Sequence, residues 1–227
     1  MARQQRVSNE RKKELEELDP FQENFLKALE YIKTYKKQLI LIGLGFVSVI
    51  IIFSIVIFNI KSSDNKASQL LNESLKEYAK IADPKEGLLA IENSFSKIFE
   101  DYSNTAAGKM AKINFAKICY NAADYKKSYE FYKKALSDYK GDSAMESLIL
   151  SSLGQTCIAL DDFKQAESYF IKITEKNNAL LKDEALYHLG MIAGKTENKT
   201  AGNEFYKQII EEHPESLYKA LAQAKLK

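Results

Sequence analysis

Catalysis at neutral pH needs a base, a nucleophile or a group of metal ligands, and this chain holds few residues that supply them. His188 and His213 are its only histidines, and Cys119 and Cys157 its only cysteines. No His-Glu-x-x-His or Cys-x-x-Cys run occurs, so the spacing of a zinc protease, a zinc finger or a dithiol is missing. Two separate thiols make neither a disulfide framework nor a metal site, and read as small buried side chains. His188 falls in the first helix of a repeat and His213 precedes Pro214 at a helix end. Both positions suit structural or solvated imidazoles. Gly43-Leu44-Gly45 lies inside an apolar run and lacks the strand, further glycines and helix start of a phosphate loop. The carboxylates are spread among lysines, with Asp161-Asp162 in a turn, and no isolated pair stands ready for acid–base work. The chain is therefore read as a non-enzyme without cofactor or metal.

The elements that carry these residues read as helices. Of 227 residues, 28% are charged and 45% hydrophobic, so most of the chain can fold in water. Three prolines and nine glycines leave few helix breakers, and Ala, Leu, Lys and Glu are plentiful, which favours an all-α fold. Thirteen tyrosines and twelve phenylalanines fill a core in which no tryptophan is available. Residues 1–38 hold nine Lys/Arg and seven Asp/Glu, whereas residues 61–227 hold twenty-four of each. A nucleic-acid binder shows a strongly basic domain, so the neutral C-terminal part argues against nucleic acid as a partner.

Residues 39–60, LILIGLGFVSVIIIFSIVIFNI, contain no charge. As a helix, this run spans about 33 Å, enough for a hydrocarbon core of about 30 Å. Its Ile and Val do not argue for a strand, because backbone groups in lipid must be satisfied within the segment. The run is too long for a cleaved signal, and Asn59–Asp64 offers no small-x-small cleavage site. An uncleaved single-pass transmembrane helix is expected. Gly43, Gly45 and Ser48 leave room for another helix to approach. The nine basic residues of the short preceding tail favour a cytoplasmic N-terminus, with the C-terminal domain across the membrane.

Residues 1–19 are dense in charge and poor in apolar side chains, as in a disordered segment or a frayed helix. Asp19-Pro20 reads as a helix start. Phe21, Phe25, Leu29 and Ile32 then recur at helical spacing. This amphipathic helix either lies along the membrane surface or docks on a partner, or is a stalk with its apolar side against lipid. The expected organisation is a charged tail with this helix at 1–38, a transmembrane helix at 39–60 and a further domain at 61–227. Lys61–Asn65 reads as a polar linker between the last two.

Self-comparison of that domain shows an internal repeat. Leu153-Gly154 is followed by Ala166, Phe170 and Ile173, and Leu189-Gly190 by Gly202, Tyr206, Ile209 and Pro214. Phe115-Ala116 is followed by Ser128, Tyr132 and Ala135, and a fainter copy runs Tyr78-Ala79, Ile91, Phe95 and Ile98. The anchors Ala79, Ala116, Gly154 and Gly190 are 37, 38 and 36 residues apart, and the offsets of 12, 16 and 19 recur in each copy. Such a unit is a helix–turn–helix. Small residues at the anchor and at offset 12 let two antiparallel helices approach, while the aromatic at 16 and the apolar residue at 19 share one face and seal against the next unit. Asn121–Asp124, Leu160–Asp162 and Lys195–Lys199 mark the turns. Lys140-Gly141-Asp142, Asn177-Asn178 and His213-Pro214 end the second helices.

This pattern resembles the tetratricopeptide repeat. Leu153, Gly154, Ala166 and Phe170 match the family's pattern, as do Leu189, Gly190, Tyr206 and Pro214. The copies here are a few residues long, Cys119 and Cys157 occupy the usual Tyr site, and Lys112, Leu150 and Leu186 stand where the early Trp would be. The resemblance implies a solenoid of three to four repeats over roughly 63–227, closed by a capping helix at 216–227. It also implies a groove lined by first helices, at Ile113, Lys117, Tyr120, Ser151, Gln155, Ile158, Tyr187, Met191 and Lys195. This mixture suits a peptide or an unfolded segment of another protein. Lys117, Gln155 and Met191 fall where a carboxylate clamp needs Asn and basic residues, so that clamp is not implied.

The order of charged tail, one anchor and short repeat array is similar to the ancillary subunits of the bacterial Sec translocon (the YfgM family), and to the repeat domain of the cell-division coordinators. The first resemblance implies a domain on the periplasmic side of the cytoplasmic membrane. Its partners would be translocon subunits, periplasmic chaperones or exported chains, with membrane lipid around the anchor. The second implies a structural scaffold for envelope assembly or cell division with no translocon contact.

Overall fold

The computed structural model describes residues 20–176 and 180–226. The charged tail with its Asp19 cap and the Asn177-Asn178 helix end lie outside the described residues. Every described secondary-structure element is a helix. The chain divides into two compact units between Asn59 and Ile60.

The N-terminal unit holds α1 (Pro20–Thr34) and the first part of α2 (Lys36–Tyr78). All side chains from Phe21 to Asn59 are exposed, including the uninterrupted Leu, Ile, Val and Phe run after Gln38. Ser48 and Ser54 donate to the carbonyls of Leu44 and Ile50 at 2.9 and 2.8 Å, so their hydroxyls are satisfied inside the helix. Among the described residues, α2 is the one helix long and apolar enough to cross a membrane, by length and composition.

In the C-terminal unit, the segment Lys61–Asn65 is helical, contrary to the linker expected there. Two contacts explain it. Asp64 accepts a 2.9 Å hydrogen bond from the Ala107 amide in the first turn of α4, and Ala67 and Leu71 are buried. A segment with an apolar stripe and a partner for its carboxylate gains from staying helical.

Beyond it come α3 (Pro84–Asp101), α4 (Ala106–Asn121), α5 (Tyr125–Asp138), α6 (Ser143–Ala159), α7 (Phe163–Thr174), α8 (Lys182–Lys195), α9 (Lys199–Glu212) and α10 (Lys219–Lys225). From α3 onward, each helix packs against the next, and α4/α5, α6/α7 and α8/α9 pack most closely. These three hairpins share one turn. In each, a residue with positive φ (Ala123, Asp161 or Glu197) sits just past the first helix. The next amide, of Asp124, Asp162 or Asn198, donates to the carbonyl five residues back, each at 2.9 Å. That is a Schellman closure made without glycine. The same Asp or Asn then caps the second helix, its side chain accepting from Lys127, Gln165 or Ala201.

Anchor glycines set the spacing within two of the hairpins, α6/α7 and α8/α9. A Cβ added at Gly154 would come 2.5 Å from the Phe170 ring, and one at Gly190 would come 2.5 Å from the Tyr206 ring. The aromatic at offset 16 therefore rests on the anchor of its own repeat. It also seals against the next unit, as expected: Phe170 stacks on His188 of the following repeat, with ring centroids 4.8 Å apart.

The faint first copy is built differently. Ala79 is exposed in the turn after α2 instead of lying at a helix crossing. Here the close approach is reversed, with Gly87 of the second helix under the ring of Tyr78, 2.7 Å from an added Cβ. The α2 and α3 backbones do not come together as those of the other pairs do. They meet through Leu71, Leu88, Ile91 and Phe95.

Three apolar clusters follow one another along the array. Phe95, Phe99, Phe115 and Phe131 join α3, α4 and α5 with centroid separations from 4.7 to 5.9 Å. Ile149, Leu153, Phe170, Ile173 and Leu189 form the middle. Leu186, Tyr206, Ile209 and Ala222 close the C-terminal end beneath α10. Lys112, at the early-Trp position, is buried and paired with Asp138 at 2.7 Å.

The glycines of α8 give a direct test. Gly190→Ala is expected to lower unfolding stability by about 1–3 kcal/mol, because the added carbon meets a buried ring. Gly194→Ala, where an added Cβ meets nothing within 4 Å, is expected to be neutral or to stabilise by up to about 1 kcal/mol. Urea denaturation followed by circular dichroism measures both.

Candidate protein-interaction site

The nine groove residues come from α4, α6 and α8, the first helices of the three close hairpins. The structure gives them different surroundings. Ile113 is half-buried against the middle cluster, Lys117 is exposed, and Tyr120 meets Tyr125 edge-on at 5.3 Å. Ser151 is buried and donates to Glu184. Gln155 donates to the same carboxylate at 2.9 Å and to Ser151 at 3.2 Å. Ser151 and Gln155 thus join α6 to α8 in a closed polar network. Tyr187 packs between Tyr206 and Tyr218, with centroids 5.9 and 5.1 Å away, at the C-terminal end.

Ile158, Met191 and Lys195 are brought together. They line a cleft of about 650 Å³ formed by the end of α6, the start of α7, α8, α9 and the last residues of α10. Phe163, Lys199, Asn203, Tyr206 and Leu226 complete its wall. Gly190, Gly194 and Gly202 line it too, and of the three only Gly194 faces open space, where an added Cβ meets nothing within 4 Å. Sequence reasoning missed the contribution of α9 and α10. The offset-12 position of Gly202 marks one edge of the cleft, but no periodic signal places Lys225 and Leu226 there.

A second cleft, of about 670 Å³, lies between α5, α6 and α7, with Leu136, Leu150 and Tyr169 on its floor. Lys133 and Lys172 stand over the rings of Tyr129 and Tyr169 at 5.6 and 5.2 Å, and those two hydroxyls share a 3.0 Å hydrogen bond. Lys176 is paired with Glu146 across its rim. Neither cleft includes Ile113, Lys117, Tyr120 or Tyr187.

The residues with chemical potential are packed away. Burial pushes the Cys119 thiol up to about 12 and the Cys157 thiol up to about 11. The His188 imidazole lies on Phe170, and its Nδ1 has no hydrogen-bond partner among the described residues. Burial lowers its pKa below the ordinary 6.5, against an opposing pull from Glu184. Among the described residues, no three His, Cys, Asp or Glu side chains are grouped as metal ligands would be.

With this geometry in hand, the resemblance has external support. The tetratricopeptide repeat family model matches residues 184–216, which cover α8 and α9. A crystal structure of a tetratricopeptide repeat protein from Parabacteroides merdae is similar to this chain, with a TM-score of 0.56 and 19% identity. The match covers 70% of this chain and 59% of that one. The C-terminal unit has a tetratricopeptide-type fold. No curated protein sequence matches the chain. The chain spans little more than half the length of the solved repeat protein.

Two measurements follow from the buried groups. Neither cysteine is expected to react with maleimide at pH 8 in the folded chain, and both are expected to react in guanidinium, as mass spectrometry would show. The unfolded chain binds the His188 proton at its ordinary 6.5, while the folded chain holds it less tightly. Stability is therefore expected to fall as pH drops through 6.5 toward the lower folded value, by at most about 1.4 kcal/mol per pH unit. His188→Gln should flatten that slope in thermal melts between pH 7.5 and about 5.5.

Proposed function

We propose that this chain is a membrane-anchored interaction module that captures segments of other proteins through its repeat domain. In this reading, the run at 39–60 is the anchor, residues 1–38 are cytoplasmic, and residues 61–227 lie on the outer face of a bacterial cytoplasmic membrane. The observation that carries the reading is the cleft at Ile158, Met191 and Lys195, a largely apolar recess in a tetratricopeptide-type array. Such arrays use surfaces of this kind to hold peptides. A charge-free run of 22 residues, none of them buried, supports the anchor. Tethering raises the local concentration of the module near membrane partners, so modest contacts suffice.

The architecture fits assistance to the Sec export machinery or its chaperone partners. Photo-crosslinking in cells, from probes at Met191 and Tyr120 of the full-length chain, tests this. Met191 is preferred to Tyr187, whose ring is enclosed by Tyr206 and Tyr218. Translocon subunits or newly exported chains are the expected captures, with Met191→Asp reducing the yield about tenfold. Capture of division or envelope-assembly proteins alone would replace export with a scaffold role, and capture of cytoplasmic proteins would reverse the orientation.

A further inference from the structure

The cleft at the C-terminal end of the repeats differs in charge from the domain around it. Residues 61–227 carry equal numbers of basic and acidic side chains. Among the described residues, the cleft wall nonetheless holds Lys195, Lys199 and Lys225 and no carboxylate. All three lysines are exposed, and none forms an ion pair among the described residues. The second cleft differs in this respect, because Glu146 and Glu175 stand among its lysines and Lys176 is already bound to Glu146.

Under the lysines is an apolar floor made by Ile158, Phe163, Met191 and Leu226. Lys195 Nζ lies 5.9 Å from the centroid of the Phe163 ring. An ammonium over an aromatic face keeps its charge at the edge of the apolar surface, with its stem packed down. The three lysines come from the last turn of α8, the first turn of α9 and the end of α10. They surround the floor and do not run in a row along the first helices. Like charges grouped in this way repel, and incoming carboxylates relieve that repulsion. The volume, about 650 Å³, is within the range of about 300–1,000 Å³ typical of binding pockets.

We infer that this cleft takes a peptide segment in which a large apolar residue is flanked by Asp or Glu. The apolar side chain fills the floor and the carboxylates reach the lysines. The inference rests on the proposed reading of the domain as a peptide-binding module, and it specifies where a segment binds and which chemistry is selected. Gly194 offers a way to close the site. It lines the cleft, and an added Cβ there meets nothing within 4 Å, so Gly194→Trp fills the recess while leaving the helix packing intact.

The test uses the full-length chain in detergent micelles and two fluorescein-labelled peptides with one Leu-Phe core, flanked in one by Glu and in the other by Lys. Fluorescence anisotropy is expected to show the Glu-flanked peptide binding roughly tenfold or more tightly than its counterpart. The preference should weaken with added salt. It should vanish when Lys195, Lys199 and Lys225 are all changed to Glu, and survive when all three are changed to Arg. Gly194→Trp should abolish binding, with an unchanged melting curve as the check on folding. Equal affinities for the two peptides, with both lost in Gly194→Trp, would overturn the charge selection and leave the peptide-binding reading standing. A Glu preference that survives the charge reversal or the Trp would place binding elsewhere and overturn the inference. Failure of the Glu-flanked peptide to bind the unaltered chain would also overturn it, while capture from Met191 in cells remains the separate measure of the broader reading.

Discussion

An aromatic ring resting on a glycine sets how close two helices come in this protein, and much of the repeat domain depends on that distance. Phe170 lies where a Cβ of Gly154 would be, and Tyr206 where a Cβ of Gly190 would be. At that spacing, a three-residue turn can close the hairpin. The turn must reverse direction within a few ångströms, so one residue adopts positive φ, a conformation costing a non-glycine residue roughly 1 kcal/mol. The bond back to the first helix and the Asp or Asn cap on the second offset that cost. The ring that fixes one hairpin also stacks on the next, as Phe170 does on His188. Spacing within a repeat and stacking between repeats therefore share the same side chains. Where the ring and the glycine exchange helices, as Tyr78 and Gly87 do, the backbones separate and the repeat loses its close form.

Polar contacts finish what the apolar clusters begin. Asp64 reaches the first turn of α4, Lys112 reaches Asp138, and Glu184 accepts from both Ser151 and Gln155. Buried groups of this kind cost desolvation free energy unless they are paired, so each one fixes the relative position of the helices it joins. The same contacts decide which side chains remain for a ligand. Ser151 and Gln155 are occupied holding α6 to α8, and Tyr187 is occupied at the C-terminal end. Met191 and Lys195, one and two turns further along α8, remain available in the cleft.

The buried thiols and the imidazole fit this architecture better than they fit chemistry. Cys119 and Cys157 fill the first-helix position at which the family pattern has a tyrosine, and burial keeps them protonated. His188 serves as a flat surface for Phe170, and its proton affinity is reduced by the same packing. What the domain presents outward is shape and charge: an apolar recess with cations around it and, among the described residues, no carboxylate in its wall.

The sequence by itself determined the helical class, the charge-free run at 39–60 and the repeat period, because each depends on local composition or on spacing along the chain. The turns within Asn121–Asp124, Leu160–Asp162 and Lys195–Lys199 were legible for the same reason, since turn residues that break the apolar stripe are local signals. Ile158, Met191 and Lys195 were named from first-helix positions of two adjacent repeats, and these three line one cleft. The tertiary structure alone decided the rest. Lys61–Asn65 reads as a linker by composition, and only the distant amide of Ala107 and the burial of Ala67 and Leu71 make it helix. Ala79 fits the anchor spacing, yet its neighbours place it in a turn and give the close contact to Gly87. Phe163, Lys199, Lys225 and Leu226 meet Met191 only after three helices have folded back on one another. Contacts between residues far apart in sequence depend on how rings, glycines and paired charges set each crossing, and no repeat pattern records that.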